Sequence, residues 1–103
     1  MKVKNLKGTS PNVCNCGSWL NHWKNFRNIY AISKTLLPKQ IRCSVISCPN
    51  LAELGGHVQK VNSNDKDWYI IPLCDRCNKK EGEELDIDNN TVLVSANVSE
   101  TCG

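Results

Sequence analysis

The stretch that decides the fold is CSVISCPNLAELGGHVQKVNSNDKDWYIIPLCDRC, residues 43–77, because it begins and ends with a close pair of cysteines. Four residues separate Cys43 from Cys48, and two separate Cys74 from Cys77. Tetrahedral Zn²⁺ takes four thiolate or imidazole ligands, and two short cysteine pairs on either side of a hairpin can supply them. The seven cysteines of the chain, an odd number, fit metal ligation better than a disulfide framework. We therefore predict a structural zinc site at these four cysteines.

Other interpretations of the four cysteines stay open at this point: buried free thiols, one or two disulfides, or an iron site of the rubredoxin type. If zinc is bound, its binding free energy of about 10 to 16 kcal/mol becomes folding free energy. A chain of 103 residues with 40% hydrophobic content is enough for one domain with a thin core. A structural metal would compensate for that thin core.

Secondary structure around the cysteines follows from the apolar pattern. Residues 51–61 and 68–73 read as two strands, and the polar segment 62–67 joins them into a β-hairpin. Asp75 is predicted to cap a short helix that continues to about Lys80. Further along, residues 88–90 predict a turn, and residues 91–94 predict another short strand.

The first part of the chain is predicted to contribute an arm and one helix. Turn-forming residues at 7–12 suggest that the first few residues are an arm leading into the domain. Trp19, Trp23 and Phe26 then recur at helical spacing after Ser18, a suitable N-cap. We expect these aromatic side chains to pack on the core, although they could also form a stacking platform for single-stranded bases. Residues 30–37 fit a helix and a strand equally well.

Charge is distributed unevenly along the chain. Residues 1–42 carry eight Lys/Arg and no Asp/Glu, whereas residues 43–103 carry five Lys/Arg against ten Asp/Glu. The net charge of +3 therefore divides into +8 and −5. Such a split indicates either a basic surface for phosphate backbones or two segments that complement each other in the folded chain.

The order of these features is that of a treble clef: a cysteine knuckle, a hairpin with a histidine, and a second knuckle at a helix start. The sequence reads GGHV at residues 55–58 and IIPLCDRCNKK at residues 70–80. Together with Cys43 and Cys48, these segments resemble the zinc-bearing HNH, or ββα-metal, nucleases. The likeness covers residues 43 to about 82, less than half of the chain.

The resemblance implies a nuclease site with one substitution. It places His57 at the position of the general base, which activates water against a phosphodiester held by Mg²⁺ or Mn²⁺. Asn78 takes the position of the family's last metal-binding residue. Gly56, however, stands where the family has an Asp or His ligand for the catalytic ion. Nearby carboxylates are the candidates to replace that ligand: Asp65, Asp67, Asp75 and Glu81.

A more ordinary interpretation of both residues is structural. His57 would then hydrogen-bond a backbone group and brace the hairpin. Asn78 would tie the second knuckle to the same hairpin.

Three cysteines lie outside the main site and suggest a second one. Cys14, Cys16 and Cys102, together with His22, could hold a second zinc ion with three thiolates and one imidazole. The alternatives are buried thiols, a disulfide from Cys14 or Cys16 to Cys102, or a catalytic Cys16 with His22 as its base.

We therefore expect an α+β fold: a small zinc-stabilised domain of treble-clef or ββα-metal type with an N-terminal helical extension. The single domain, residues 1–103, would comprise a basic extension at 1–42, the HNH-like treble clef at 43–82, and a C-terminal turn and strand at 83–103. No apolar stretch predicts a leader or a membrane span, so a cytoplasmic location is expected.

The sequence is consistent with three functions. The first is a zinc domain that binds DNA or RNA without complete catalytic equipment, with contributions from Arg76, Lys79 and Lys80. The second is an active endonuclease that uses His57 and Asn78. The third is a protein-interaction module built on the same scaffold.

Overall fold

Five antiparallel strands form one sheet in the part of the chain described by our computed structural model, residues 1–9, 12–30 and 40–102. The order across the sheet is β4-β1-β2-β3-β5, and every neighbouring pair is antiparallel. The strands are β1 Lys2–Asn5, β2 Leu54–Lys60, β3 Tyr69–Leu73, β4 Glu84–Asp86 and β5 Val94–Ser95. Two α-helices, α1 Trp19–Tyr30 and α2 Asp75–Asn78, and a 3-10 turn at Val98–Glu100 complete the described elements. The chain therefore has the predicted α+β class.

The central hairpin of β2 and β3 is confirmed, with narrower limits than the apolar pattern indicated. Leu54 pairs with Leu73 at one end, and Val58 pairs with Tyr69 at the other. Trp68 is exposed and Tyr69 is half-buried, in accordance with the alternation of side chains along a strand. Pro72 fits within β3 because β5 pairs only with Tyr69 and Ile70, so no strand needs the N–H that proline lacks.

The first residues are not an arm, contrary to the prediction. Lys2–Asn5 form β1, which lies between β2 and β4 inside the sheet. Val3 and Asn5 are buried, whereas Lys2 and Lys4 are exposed. A strand of four residues with two lysines gives a weak local signal, and its stability comes from partners more than fifty residues away.

The two faces of the sheet bury separate cores. The first, here called the cysteine face, buries Val3, Val58, Ile71, Leu73, Leu85 and Ile87 together with Cys43, Cys74 and Cys77. The second, here called the helix face, buries Trp23, Ile70 and Val94, with Trp19 and Phe26 packed against them. Adjacent residues of β2 and β3 therefore point into different cores.

Helix α1 covers the helix face and begins as predicted. The Ser18 Oγ accepts a hydrogen bond from the backbone N–H of Asn21 at 3.1 Å, the geometry of an N-cap. Trp23 is buried, and its indole N–H donates to the Val92 carbonyl at 2.8 Å. The close approach of α1 requires Gly55, since a Cβ there would lie 2.6 Å from the carbonyl carbon of Trp19. The aromatic spacing is thus a core face, as expected.

Some boundaries differ from the predictions. Cys74, not Asp75, is the N-cap of α2, and the helix ends at Asn78 rather than near Lys80. The turn at 88–90 is present, with the N–H of Thr91 bonded to the Asp88 carbonyl at 3.0 Å. The strand that follows is Val94–Ser95, not 91–94, and β4 was not predicted at all. Of the ambiguous segment 30–37, Tyr30 ends α1 and the remainder lies outside the described residues.

Within the described residues, no helix combines the length and apolar character that crossing a membrane requires.

Candidate metal centre

The first cysteine pair lies on a short knuckle before the central hairpin. An isolated antiparallel bridge between Arg42 and Leu51 closes its base. The N–H of Cys43 bonds to the Asn50 carbonyl at 3.1 Å, and the N–H of Cys48 bonds to the Val45 carbonyl at 3.1 Å. The chain therefore reverses within a few residues and brings both sulfurs to one side.

The second pair lies where β3 runs into α2. Cys74 has an extended backbone and caps the helix, and its sulfur accepts the backbone N–H of Cys77 at 3.4 Å. Because residues at the N-cap and third position of a helix start lie on the same side, both thiols face the knuckle. The C-x2-C spacing and the helix start together place both sulfurs toward the first pair.

The four sulfurs form a tight cluster that can hold a metal ion such as zinc. All of them lie within 4.8 Å of one another. The Cys48 sulfur is 3.8 Å from the Cys74 sulfur and 3.8 Å from the Cys77 sulfur. A tetrahedron with Zn–S bonds of about 2.3 Å has S–S edges of about 3.8 Å. The predicted convergence of Cys43, Cys48, Cys74 and Cys77 is therefore confirmed, with separations that suit a tetrahedral ion.

The surroundings of the cluster favour charge on one sulfur and oppose it on others. Burial acts to raise the pKa of the Cys74 thiol, but hydrogen bonds from the Cys77 N–H and the Asn50 amide lower this pKa to about 7. Burial raises the pKa of the Cys43 and Cys77 thiols above the ordinary value. A divalent cation would stabilise all four thiolates together, and this is the chemistry that zinc supplies when bound.

Asn50 is a contributor that the sequence analysis missed. Its Nδ2 lies 3.7 Å from the Cys74 sulfur and donates to it. Groups that hydrogen-bond a ligand from outside the metal shell orient that ligand and adjust its charge. The position of Asn50 in the first knuckle, two residues after Cys48, was the available signal.

His57 lies on the helix face, away from the cysteine cluster. It is 5% exposed, and its ring meets the Trp19 ring edge-on with centroids 4.5 Å apart. Burial, with a smaller contribution from His22, lowers the pKa of His57 to about 4. Its Nε2 atom is buried without a hydrogen-bond partner among the described residues. The imidazole is thus neutral at pH 7, and it lies at the edge of a groove that Trp19 and Trp68 also line.

Asn78 and Gly56 lie together on the opposite face. A Cβ built on Gly56 would be 3.1 Å from the Asn78 Oδ1 and 2.5 Å from the Leu73 Cδ1. The Asn78 carbonyl also accepts the Asn5 side-chain amide at 2.8 Å, which ties α2 to β1. The position at which the HNH family has a catalytic metal ligand is therefore closed by Leu73, and the structure does not bring His57 and Asn78 to one site.

Two of the candidate replacement carboxylates, Asp65 and Asp75, have lysine partners. Asp65 accepts a hydrogen bond from the Tyr69 hydroxyl at 2.5 Å and pairs with Lys60 in the connection at the far end of the hairpin. Asp75 pairs with Lys79 at 2.8 Å. Across residues 1–9, 12–30 and 40–102, two groups of potential metal ligands occur, and neither includes a carboxylate or His57. These residues do not fit a Mg²⁺ or Mn²⁺ site.

The second of those groups contains Cys14, Cys16 and His22, whose ligand atoms also lie within 4.8 Å of one another. The Cys102 sulfur lies 3.6 Å from the Nδ1 of His22. The structure therefore brings together the residues that the sequence analysis grouped at the two ends of the chain.

Strand pairing brings part of the basic N-terminal segment opposite part of the acidic C-terminal segment. Lys2 lies directly opposite Asp86, and Lys4 directly opposite Glu84, in the register of β1 and β4. Residues facing each other in an antiparallel pair interact, and opposite charges there are favourable. At β1, the two oppositely charged segments therefore complement each other. Along the sequence, residues 19–42 contain five Lys/Arg and no Asp/Glu.

Comparisons of the chain with protein-family models, with characterised proteins and with solved structures found no significant match.

Proposed function

We propose that this chain is a zinc-organised domain of treble-clef type that has the frame of an HNH nuclease without its cleavage centre, and that it acts by binding nucleic acid. The observation that carries the proposal is the four-cysteine cluster with its 3.8 Å sulfur separations. Zinc is the metal that most often takes four thiolates in a closed tetrahedral site. Iron in the same ligands would give a coloured protein, so a colourless preparation with bound zinc separates the two.

The arrangement of elements supports the treble-clef frame. The knuckle at residues 42–51 leads into the hairpin of β2 and β3, and α2 starts directly after β3. Two cysteines come from the knuckle and two from the helix start. The short length of α2 is compatible with this frame because only its first turn carries ligands.

The contents of the two faces support the proposal of binding without cleavage. A general base must reach the water that it activates, and a catalytic cation needs carboxylate ligands or equivalent oxygens. Here the imidazole of His57 packs against Trp19 on the helix face, its Nε2 is buried, and Leu73 fills the space beside Gly56 on the cysteine face. These contacts favour a binding function over hydrolysis.

The helix side offers the cationic surface for this proposal. Lys24 and Arg42 are exposed, and they line two grooves that meet at Ile41. Arg27 lies over the Trp23 ring at 5.4 Å in the same groove as Arg42. One carboxylate, Asp88, also lines that groove. Phosphate backbones are bound chiefly by such lysine and arginine side chains.

The experiment is a binding titration of the zinc-loaded chain against short labelled duplex and single-stranded oligonucleotides at several salt concentrations. We expect binding that weakens as salt rises, because condensed counterions are released on association. The double variant Lys24→Gln/Arg42→Gln should bind less tightly. Its slope of log K against log salt should become shallower by about 0.7 to 0.9 for each phosphate that the variant no longer neutralises.

Lys4→Gln is the matched control, since Lys4 lies opposite Glu84 in the sheet and does not line the grooves of Lys24 and Arg42. We expect this variant to bind as the natural chain does. Absence of salt-dependent binding at low ionic strength would contradict the proposal and favour a protein partner. Cleavage of plasmid DNA with Mg²⁺ or Mn²⁺ that is abolished by His57→Ala in a folded chain would instead establish an active nuclease.

A further inference from the structure

A second group of thiols and one imidazole converges at the N-terminal end of α1, next to β5. It is formed by the loop that carries Cys14 and Cys16, by the first turns of α1 with His22, and by the C-terminal segment with Cys102. We propose that these four residues form a second metal site, which binds Zn²⁺ through three thiolates and one imidazole nitrogen. This site is independent of the one at Cys43, Cys48, Cys74 and Cys77.

The distances around His22 match zinc coordination. Its Nδ1 lies 3.8 Å from the Cys16 sulfur and 3.6 Å from the Cys102 sulfur. With Zn–S bonds of about 2.3 Å and a Zn–N bond of about 2.0 to 2.1 Å, a tetrahedral ion places nitrogen and sulfur about 3.6 Å apart. One ion can therefore contact Nδ1 and both sulfurs. Cys14 lies within 4.8 Å of the Cys16 sulfur and of the His22 ring nitrogen, whereas the Cys102 sulfur is not within 4.8 Å of all three, so a four-ligand site requires Cys14 and Cys102 to move closer together.

The orientation of the His22 ring is fixed from the other side. His22 is fully buried, and its Nε2 lies 2.9 Å from the Ser95 carbonyl oxygen. A carbonyl only accepts hydrogen bonds, so Nε2 carries the proton and Nδ1 presents its lone pair to the sulfurs. Metal-bound histidines commonly hold the second ring nitrogen in this way, which sets the tautomer and the direction of the ligand.

The local backbone is arranged to hold the group together. Gly17 has φ +89°, a left-handed conformation that lets the chain turn from Cys16 into the Ser18 cap of α1. The side-chain amide of Asn15 donates to the Cys102 carbonyl at 3.2 Å, which joins the loop to the C-terminal segment. Asn97 caps the 3-10 turn that leads to Cys102. Each ligand thus comes from a segment whose position is set by hydrogen bonds outside the site.

A disulfide accounts for this cluster less well. A bond between Cys16 and Cys102 would take both sulfurs that lie beside the buried His22 Nδ1, and the remaining Cys14 thiol already donates to the Ser18 carbonyl at 3.4 Å. A metal ion uses all four groups and compensates for the burial of the polar nitrogen. The consequence is a clamp that links the start of α1 to the C-terminal segment.

The test is the zinc content of the folded full-length chain, purified with zinc under reducing conditions, followed by X-ray absorption at the zinc edge. We expect about two zinc ions per chain, with an average of about 3.5 sulfur and 0.5 nitrogen ligands per ion. Cys16→Ser and Cys102→Ser should each bind about one zinc ion, and the nitrogen contribution should disappear. Thr101→Val, which disturbs the same segment without removing a ligand, should retain two.

The two sites can fail separately in this experiment. In the folded Cys102→Ser variant, loss of one zinc ion concerns the second site, and the ion that remains, with sulfur ligands only, reports on the first. Cys102 is only half-buried, so its serine variant is expected to fold. The second site is refuted if the folded natural chain binds one zinc ion with sulfur ligands only. A mass 2 Da lower than that of the fully reduced chain, assigned to a bond between Cys102 and Cys14 or Cys16, would refute it as well.

Discussion

The two faces of the β2 and β3 hairpin are filled by different means. On the cysteine face, three buried cysteines belong to the core itself and pack beside Leu73 and Ile71. On the helix face, the core is smaller and consists of α1 aromatic residues against Ile70 and Val94. Because adjacent residues of one strand point to opposite faces, Gly56 and His57 belong to different cores. An HNH-like order along the sequence therefore does not ensure an HNH-like site in space.

The largest expected effect comes from removing a ligand on the cysteine face. In Cys77→Ser we expect loss of the first zinc ion and unfolding of the sheet. Zinc binding of about 10 to 16 kcal/mol is comparable with the whole stability of a small domain, about 5 to 15 kcal/mol. Circular dichroism together with zinc content measures both losses. Cys102→Ser, outside this cluster, should leave the sheet folded, and a stable sheet in Cys77→Ser would show that the metal is dispensable.

Substitution of the two adjacent glycines, Gly55 and Gly56, tests the packing of one face at a time. In Gly55→Ala the new Cβ would lie 2.6 Å from the backbone carbonyl carbon of Trp19, and α1 would have to move away. In Gly56→Ala the nearest atom, at 2.5 Å, is the end of the flexible Leu73 side chain. We expect Gly55→Ala to cost about 3 kcal/mol or more and Gly56→Ala about 1 to 2 kcal/mol. Urea unfolding of the zinc-loaded variants measures the difference, and the reverse order would contradict this packing.

The buried imidazole on the helix face predicts a dependence on pH. The pKa of His57 is lowered to about 4 by burial and by His22, whereas an unfolded histidine has a pKa of about 6.5. Between pH 6.5 and 4 the unfolded chain binds more protons than the folded chain, so the free energy of unfolding falls as pH falls. The full contribution is about 3 kcal/mol.

His57→Phe removes this titration and keeps a ring of similar size. We expect its unfolding free energy to decrease less than that of the natural chain between pH 7.5 and pH 5, at the same zinc concentration. Acid release of zinc affects both chains alike, so the difference isolates the imidazole. Equal pH dependence in the two chains would show that His57 is not buried in its neutral form.

The smallest effect is expected at the paired charges of β1 and β4. Lys4→Glu places two carboxylates opposite each other at Lys4 and Glu84 and should cost about 0.5 to 1 kcal/mol. Combining it with Glu84→Lys exchanges the charges and should restore most of the stability. Chemical denaturation of the single and double variants gives the coupling energy, and zero coupling would mean that the charge split has another cause.

Local spacing explains what the sequence predicted correctly. The knuckle, the C-x2-C helix start, the Ser18 cap and the aromatic period of α1 each depend on residues within a few positions of one another. Such signals can be recognised in a single sequence because the geometry that they require is local. The convergence of the four cysteine sulfurs follows from two of these local signals joined by a recognisable hairpin.

The remaining features depend on partners far along the chain. Lys2–Asn5 becomes a strand only because β2 and β4 lie on either side of it. The separation of His57 from Asn78 depends on which face each residue meets, and a shift of one residue in the strand would reverse that outcome. The role of Gly56 depends on Leu73, which is adjacent only after the hairpin has formed.

The most direct test of the four-cysteine centre is zinc-edge X-ray absorption on Cys102→Ser, combined with its zinc content, since this variant isolates that centre. We predict one zinc ion per folded chain, bound by four sulfur atoms at about 2.3 Å. A folded chain that contains no metal, or cysteines 43, 48, 74 and 77 joined as disulfides, would contradict the account.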